Sequence, residues 1–472
     1  MADARTAHAA WAARPVADRC RVLKRLRTRI AERADEIVEV ISAETAKPPM
    51  DALTGDVLVT LEQMRYYEQQ APRILKPRRC GKPAFLYRGA DFMEVPEPCG
   101  VALVIAPWNY PLQLALVPAV TALFAGNAVL LKCSERTPHT AALIAGLCSE
   151  AELPSALLQV SCEAPSEVAA MIDAKPDIVF FTGSSSNGRS IAEAAAQHGI
   201  PTILELGGND AALVFASCEL DRTVHGTVYG SFANAGQVCV GIKRIYVQQS
   251  IYSDFLSRFL ERTAQLRIGL TAESDLGTAQ KSTHLEDLIQ DAVARGASVH
   301  AVPSTGEGMS PTVLTDVPLD ALILQREFFG PVVTITPFAD EAEALRLANA
   351  SPFALGASVW TGDAAQGKRL ALQINAGSCA VNDVIRNIGN PNMAFGGNGR
   401  SGYGRYHGEE GLRAFSRTRS VMTAGALCNP EVHWFPFSKS GYARLRALVA
   451  LRHGAAGLFA RCKECIRIMR SV

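Results

Sequence analysis

The segment 232-FANAGQVCV-240 places Cys239 among small residues, where a thiol has room to meet a substrate. A nucleophilic cysteine needs thiolate character and access, and most free cysteines are inert small hydrophobes, so both readings stay open locally. In 204-LELGGND-210, Glu205 ends an apolar stretch and precedes two glycines. A carboxyl group in such a setting has a raised pKa and can act as a general base near neutral pH, although a carboxylate capping the next helix fits equally well. In 105-IAPWNYP-111, Asn109 stands in a turn between prolines. An amide held there could donate to a developing oxyanion, or simply close the turn.

Two further segments suit a nucleotide. In 180-FFTGSSSNGRS-190 a strand ends in Gly183 and a helix opens near Asn187 and Gly188. Glycines at a strand-to-helix turn permit close backbone approach, and a helix N-terminus favours pyrophosphate. The spacing is neither a P-loop nor G-x-G-x-x-G, so an ordinary turn also fits. In 131-LKCSE-135 a strand ends in Lys132 and Glu135. A carboxylate there can accept from ribose hydroxyls and repels a 2′-phosphate, which favours NAD over NADP.

The elements that must position these residues alternate. From Gly100 onward, VALVIAP, NAVLLK, DIVFFTG and PTILELGG read as apolar strands separated by the helices LQLALVPAVTALFAG, TPHTAALIAGLCSEA and SNGRSIAEAAAQHG. Continuous apolar strands alternating with helices indicate a parallel sheet covered on both faces. A second series follows Gly207, with AALVF, RIYV, PVVTITPF, GASVW and CAVND as strands. Helices are expected around Asp221–Tyr229 and Ser253–Leu266. Residues 1 to about 75 read as helical, the basic span 72-PRILKPRRCGKPAFLYRG-89 as an extended excursion or hairpin, and the Gly-rich MAFGGNGRSGYGRYHGEEG as non-helical. The fold class is α/β, with two successive halves, one for a cofactor and one for chemistry.

A chain of 472 residues with 48% hydrophobic and 20% charged content reads as globular. Its net charge of +1 gives no reason to expect nucleic acid as a partner. The twelve cysteines are scattered singly, which points to reduced thiols and a cytoplasmic setting. The N-terminus lacks the apolar core of a signal peptide, and no run approaches the roughly 18 apolar residues of a membrane span. Cys462 and Cys465 form a lone C-x-x-C, a poor zinc site without a second pair, so no metal is expected.

In chain order the sequence shows PWNYP, LKCSE, FFTGSSSNG, LELGGND, NAGQVC, REFFGP and AFGGNGRSG. Together, from about residue 10 to 425, these resemble the aldehyde dehydrogenase superfamily. LELGG followed about thirty residues later by Gly-Gln-x-Cys is the most specific part. The resemblance implies two Rossmann-like open-sheet domains, an NAD-binding domain at 1–75 and 98–206 and a catalytic domain at 207–402. It also implies a bridging or oligomerisation element at 76–97 and 403–428, supporting a homodimer or homotetramer. By resemblance Cys239 is the nucleophile that forms a thiohemiacetal with the aldehyde, and Asn109 with the Cys239 backbone N–H makes the oxyanion hole. Glu205 activates the water that hydrolyses the resulting thioester. Lys132 and Glu135 match the positions that hold the adenosine ribose, Gly183, Ser184 and Gly188 those at the pyrophosphate turn, and Trp108 a cofactor-side residue. Glu327 matches the ligand of the nicotinamide ribose and Phe329 its packing neighbour. The implied cofactor is NAD, with NADP admitted, and the implied partner a small-molecule aldehyde.

The sequence departs from the family's pattern at Cys133, where proline is common, and at Arg326, where an acid is usual. The first is expected to loosen the turn that presents Glu135. Transfer of the acyl group to coenzyme A is the alternative outcome, against which the retained Glu205 argues. Beyond about Asn429 the chain turns basic, with Arg444, Arg446, Arg452, Arg461, Lys463, Arg467 and Arg470 against the single acid Glu464 in its last thirty residues. Such a helix can lie on a membrane surface, pack on a partner subunit or dock on its own body. In placement it is similar to the tails of fatty-aldehyde members that contact membranes or gate the substrate tunnel.

Overall fold

The computed structural model describes residues 1–81, 87, 89–279, 281–302, 308–424, 431–455 and 457–470. The chain divides into two compact units, one of Met1–Lys76 with Pro96–Arg417 and one of Pro77–Val95 with Thr418–Val472.

The larger unit holds two sheets. In the six-stranded sheet the order is Gly402–Tyr403, Thr202–Glu205, Ile178–Thr182, Val101–Ile105, Ala128–Lys132, Leu158–Ser161. All neighbours are parallel except the Gly402–Tyr403 edge, which runs antiparallel to Thr202–Glu205. The chain starts at the central strand Val101–Ile105, moves outward to one side, then returns to add Ile178–Thr182 on the other. That reversal makes a topological switch point, where the C-terminal ends of adjacent strands diverge and leave a crevice. The strand interiors are almost wholly apolar because helices cover both faces. The helix Gln113–Ala125 is buried along its entire length, which is why its sequence is apolar all round.

The seven-stranded sheet runs Ser298–Ala301, Thr312–Thr315, Val332–Phe338, Ile242–Gln248, Asp210–Val214, Gly356–Trp360, Ser378–Val381. Only the Ser298–Ala301 edge is antiparallel. The expected helices of this half form as Leu220–Phe232 and Tyr252–Ala264. The Gly-rich stretch is non-helical as expected up to His407, but its last residues, from Gly408, open a short helix to Ala414. His407, at φ +63°, turns the chain into that helix.

In the smaller unit Arg78–Arg79 pairs antiparallel with Met93–Glu94, which agrees with the hairpin alternative for this span; residues 82–86 lie outside the described residues. The basic tail folds as two helices, Lys439–His453 and Leu458–Arg470, rather than one. Ala443, Ala447 and Ile468 are buried together, with Ala450 and Cys465 packed beside them.

Candidate active site

Glu205 is the last residue of the strand Thr202–Glu205, and the four residues after it bring three distant segments together. Its carboxyl is 3% exposed, and neither oxygen has a hydrogen-bond partner among the described residues. Burial pushes its pKa well above the ordinary 4.5, an effect Arg405 opposes only in part. A Cβ on Gly396 would stand 2.8 Å from Oε1, so the Gly-rich return of the chain closes directly over this carboxyl. A Cβ on Gly207 would lie 1.5 Å from Oε1 of Glu327, and one on Gly208 only 2.6 Å from the backbone oxygen of Cys239. The two glycines of LELGG therefore leave the space into which Glu327 and the Cys239 turn come, just beyond Glu205.

Cys239 follows a turn with three successive left-handed residues, Asn234, Ala235 and Gly236, at φ 47°, 52° and 71°. Left-handed backbone at a non-glycine residue costs about 1–3 kcal/mol, so this turn is held by its surroundings. Asp51 accepts from the Asn234 N–H at 2.7 Å, and Lys243 Nζ donates to the Gly236 carbonyl at 2.6 Å. The half-buried thiol has its pKa pushed up to about 12, by burial first and then by Asp210 and Glu205. Resting Cys239 is accordingly a thiol that needs an adjacent proton acceptor.

Asn109 follows the central strand at the switch point and is 4% exposed. Its side-chain Nδ2 donates to the Gln237 carbonyl at 3.0 Å, which ties it to the cysteine's turn. An amide nitrogen carries two protons, so one remains to be donated.

The cofactor candidates Trp108, Lys132 and Gly183 stand at or just beyond the C-terminal ends of strands of the six-stranded sheet. Ser184 caps the helix Ser185–Gln197 by accepting from the Asn187 N–H at 3.3 Å, so the helix opens two residues earlier than its sequence suggests. A Cβ on Gly183 would stand 2.4 Å from the Phe181 ring, and one on Gly188 2.4 Å from Leu206. Only glycine lets the turn and helix sit this close to the sheet. Glu327 faces the Ser185 N–H and hydroxyl, so a carboxylate already stands at this helix N-terminus, a position that favours negative charge. Burial raises its pKa. Lys132 Nζ donates to Glu135 Oε2 at 2.8 Å, pairing a buried ammonium with an exposed carboxylate. Arg136 stacks 3.8 Å over the Trp108 ring. Phe329 is half-buried beside Phe328, over whose ring Lys243 lies at 5.0 Å. Anion-favouring helix end, close-approach glycines and paired carboxylates fit a dinucleotide.

The turn presenting Glu135 is not loosened by Cys133. The Cys133 N–H donates to the Ser161 carbonyl at 2.8 Å, adding a rung that a proline could not make. Sequence reasoning missed Lys47, Asp51, Asp56 and Lys243, all tied to the two catalytic turns. Asn234 lay within the quoted FANAGQVC yet drew no notice; nothing local marks the others, because their partners are far away in the chain.

With this geometry in view, the comparisons with known proteins decide the family. The model of the aldehyde dehydrogenase family matches residues 1–421. The chain belongs to that family. It is 38% identical to the 4,4′-diapolycopene aldehyde oxidase of Methylomonas over 98% of this chain and 88% of that protein. A protein of Mycobacterium ulcerans, named provisionally as an NADP(+) succinate-semialdehyde dehydrogenase, is 36% identical over 90% of this chain and 83% of its own. The crystal structure of an NAD-dependent aldehyde dehydrogenase from Sinorhizobium meliloti superposes with a TM-score of 0.86 at 30% identity, covering 92% of this chain and 87% of that one. This aldehyde dehydrogenase is an NAD(P)-dependent oxidoreductase that converts an aldehyde to a carboxylic acid.

Proposed function

We propose that Cys239, Glu205 and Asn109 carry out this oxidation. The observation that carries the reading is the convergence of the cysteine's turn, the tethered amide and the partnerless buried carboxyl around LELGG. Cys239 sulfur adds to the aldehyde carbon as its thiol proton passes to a water molecule. The carbonyl oxygen becomes an alkoxide that accepts from the free N–H of Asn109 and from the Cys239 backbone N–H. Losing one such donor costs about 10²–10³ in rate. A bound nicotinamide would supply the acceptor for the hydride that the alkoxide expels as it becomes the thioester. Ionised Glu205, whose proton affinity burial has raised, takes a proton from water, whose oxygen attacks the thioester; the carbon–sulfur bond breaks to release the acid, and the proton on Glu205 returns to the Cys239 sulfur.

Lys132 and Glu135 would hold the adenosine ribose, and Glu135 supports a preference for NAD over NADP. Gly183, Ser184 and Gly188 would admit the pyrophosphate, Trp108 would flank the cofactor, Glu327 would bind the nicotinamide ribose and Phe329 would pack beside the ring. The body around the six-stranded sheet would be the cofactor domain and that around the seven-stranded sheet the catalytic domain.

For the substrate, an apolar aldehyde fits best. A small cavity beside the Cys239 turn is lined by Val240, Ile242, Val384, Ile385 and Ile388 together with the polar Asp210, Ser358, Ser378 and Asn387, and its lining includes no arginine or lysine to meet a substrate carboxylate. The diapolycopene aldehyde in the name of the Methylomonas relative, unlike succinate semialdehyde, asks for no cationic partner there. NADH formation from a panel of long-chain, polyene and succinic semialdehydes tests it. The apolar substrates are expected to exceed succinic semialdehyde in kcat/KM by more than about tenfold, the worth of one or two buried methylenes. The opposite ranking would overturn the substrate class while leaving the reaction intact.

In the smaller unit Trp434, Phe435 and Phe437 are 57%, 80% and 73% exposed, near the basic helices. No helix among the described residues is long and apolar enough to cross a membrane. Exposed aromatics with arginines support peripheral contact with an anionic lipid surface, where an apolar aldehyde would partition. The edge strand Ser416–Ala424, exposed along much of its length, supports pairing with a second copy as a homodimer. Free thiols support a cytoplasmic setting.

A further inference from the structure

Lys47 and Asp56 are both completely buried, and the assignments above leave them without a role. Lys47 Nζ donates to Asp56 Oδ2 at 3.0 Å and to the backbone carbonyl of Asn109 at 2.6 Å. The same ammonium lies 3.9 Å over the Tyr110 ring. Asp56 Oδ1 accepts from the N–H groups of Leu112 and Gln113 at 3.0 and 3.2 Å, where the helix Gln113–Ala125 begins. The two side chains therefore grip the PWNYP turn at Asn109 and just beyond it. A second donor reaches the same carbonyl, Asn234 Nδ2 at 3.0 Å, from the turn that leads to Cys239. Asp56 itself belongs to the π-helical segment Ala52–Leu58, and π-turns are concentrated at functional sites.

A buried ion pair is weak evidence for stability, since desolvating two charges offsets most of their attraction. Packing alone would be met by apolar residues of similar size. What needs a cause is the aim of the ammonium at the main chain of the residue whose side chain faces the substrate.

We propose that Lys47, oriented by Asp56, and Asn234 are positioning residues that clamp the Asn109 carbonyl and thereby fix its side-chain amide relative to Cys239. The proposal rests on the reading of Asn109 as the oxyanion donor. With two donors on its oxygen, the Asn109 peptide plane cannot rotate, and the amide keeps one N–H on Gln237 and the other toward the aldehyde oxygen. A displacement of about 1 Å at such a group costs about 10²-fold in rate.

The test is a double-mutant cycle in the full-length enzyme. Lys47→Met with Asp56→Asn replaces the pair without stranding a buried carboxylate. This neutral pair is made in the parent and in Asn109→Ala, and kcat, NAD⁺ dissociation constant and Tm are read for all four. In the parent the neutral pair is expected to lower kcat by about 10- to 100-fold with NAD⁺ affinity within about twofold, and in Asn109→Ala to cost less than about threefold. A parent-like kcat, or equal losses in the two backgrounds, overturns the proposal. Should the neutral pair not accumulate as folded protein, Asn234→Ala carries the same cycle, and equal losses there overturn the clamp. If Asn109→Ala alone keeps the parent kcat, the oxyanion reading falls and takes the clamp with it. If Asn109→Ala is impaired and the coupling is absent, only the clamp falls.

Discussion

Glu205 holds its carboxyl at 3% exposure with both oxygens unmatched by any hydrogen-bond donor among the described residues. In the unfolded chain this group ionises near 4.5, whereas burial in the fold keeps it protonated to a much higher pH. Above pH 4.5 the folded state therefore binds one proton more than the unfolded state, and stability falls as pH rises through that window. Glu205→Gln removes this dependence. In cofactor-free enzyme its Tm advantage is expected to be small near pH 5 and to grow toward pH 8, by at most about 1.4 kcal/mol per pH unit. An advantage that shrinks with rising pH would contradict a buried, protonated carboxyl. Under the proposed mechanism activity has the opposite sign, because both Glu205 and Cys239 act deprotonated, so kcat is expected to be lost as pH falls. The residue was legible in LELGG as a carboxylate ending an apolar strand. Its enclosure was not, because the wall that closes over it, Gly396, comes from a segment far along the chain.

The helix Ser185–Gln197 must approach the sheet closely enough to present its N-terminus at the switch point, and Gly188 is the contact that allows it. A Cβ there would stand 2.4 Å from Leu206, two residues before the glycine that admits Cys239. Gly188→Ala is expected to cost about 1–3 kcal/mol of stability through overpacking, and to raise the KM for NAD⁺ more than it lowers kcat. Thermal melts and steady-state kinetics check this, and an unchanged KM would separate the helix from cofactor binding. Elements of this kind were readable, since parallel strands buried on both faces appear as unbroken apolar runs between amphipathic helices. This helix opens at Ser185 rather than near Asn187, because Ser184 supplies the cap. Lys47 was invisible for a different reason. Nothing in AETAKPPMD marks a lysine whose acceptor is a backbone carbonyl 62 positions away.

At the scale of the whole molecule, the catalytic body and the unit carrying the basic tail make separate claims. Composition revealed a basic helical tail, but not its break into two helices around Gly454, nor which of its aromatics stay exposed. For that unit, the full chain is expected to float with liposomes containing phosphatidylserine. The same chain carrying Trp434→Ser, Phe435→Ser and Phe437→Ser is expected to stay in the soluble fraction with aldehyde oxidation in detergent unchanged. Equal flotation of both would remove the tail from membrane contact. The proposed chemistry of the larger unit depends on one covalent event, capture of the aldehyde carbon by Cys239 and release by water that Glu205 activates. The most direct measurement is intact and peptide mass spectrometry of Glu205→Gln after mixing with a long-chain aldehyde and NAD⁺. The expected result is a single burst of NADH and an acyl group on the tryptic peptide spanning residues 223–243, which contains Cys239 and no other of the twelve cysteines. Continued turnover without an adduct, or an acyl group on any other cysteine, would contradict the account.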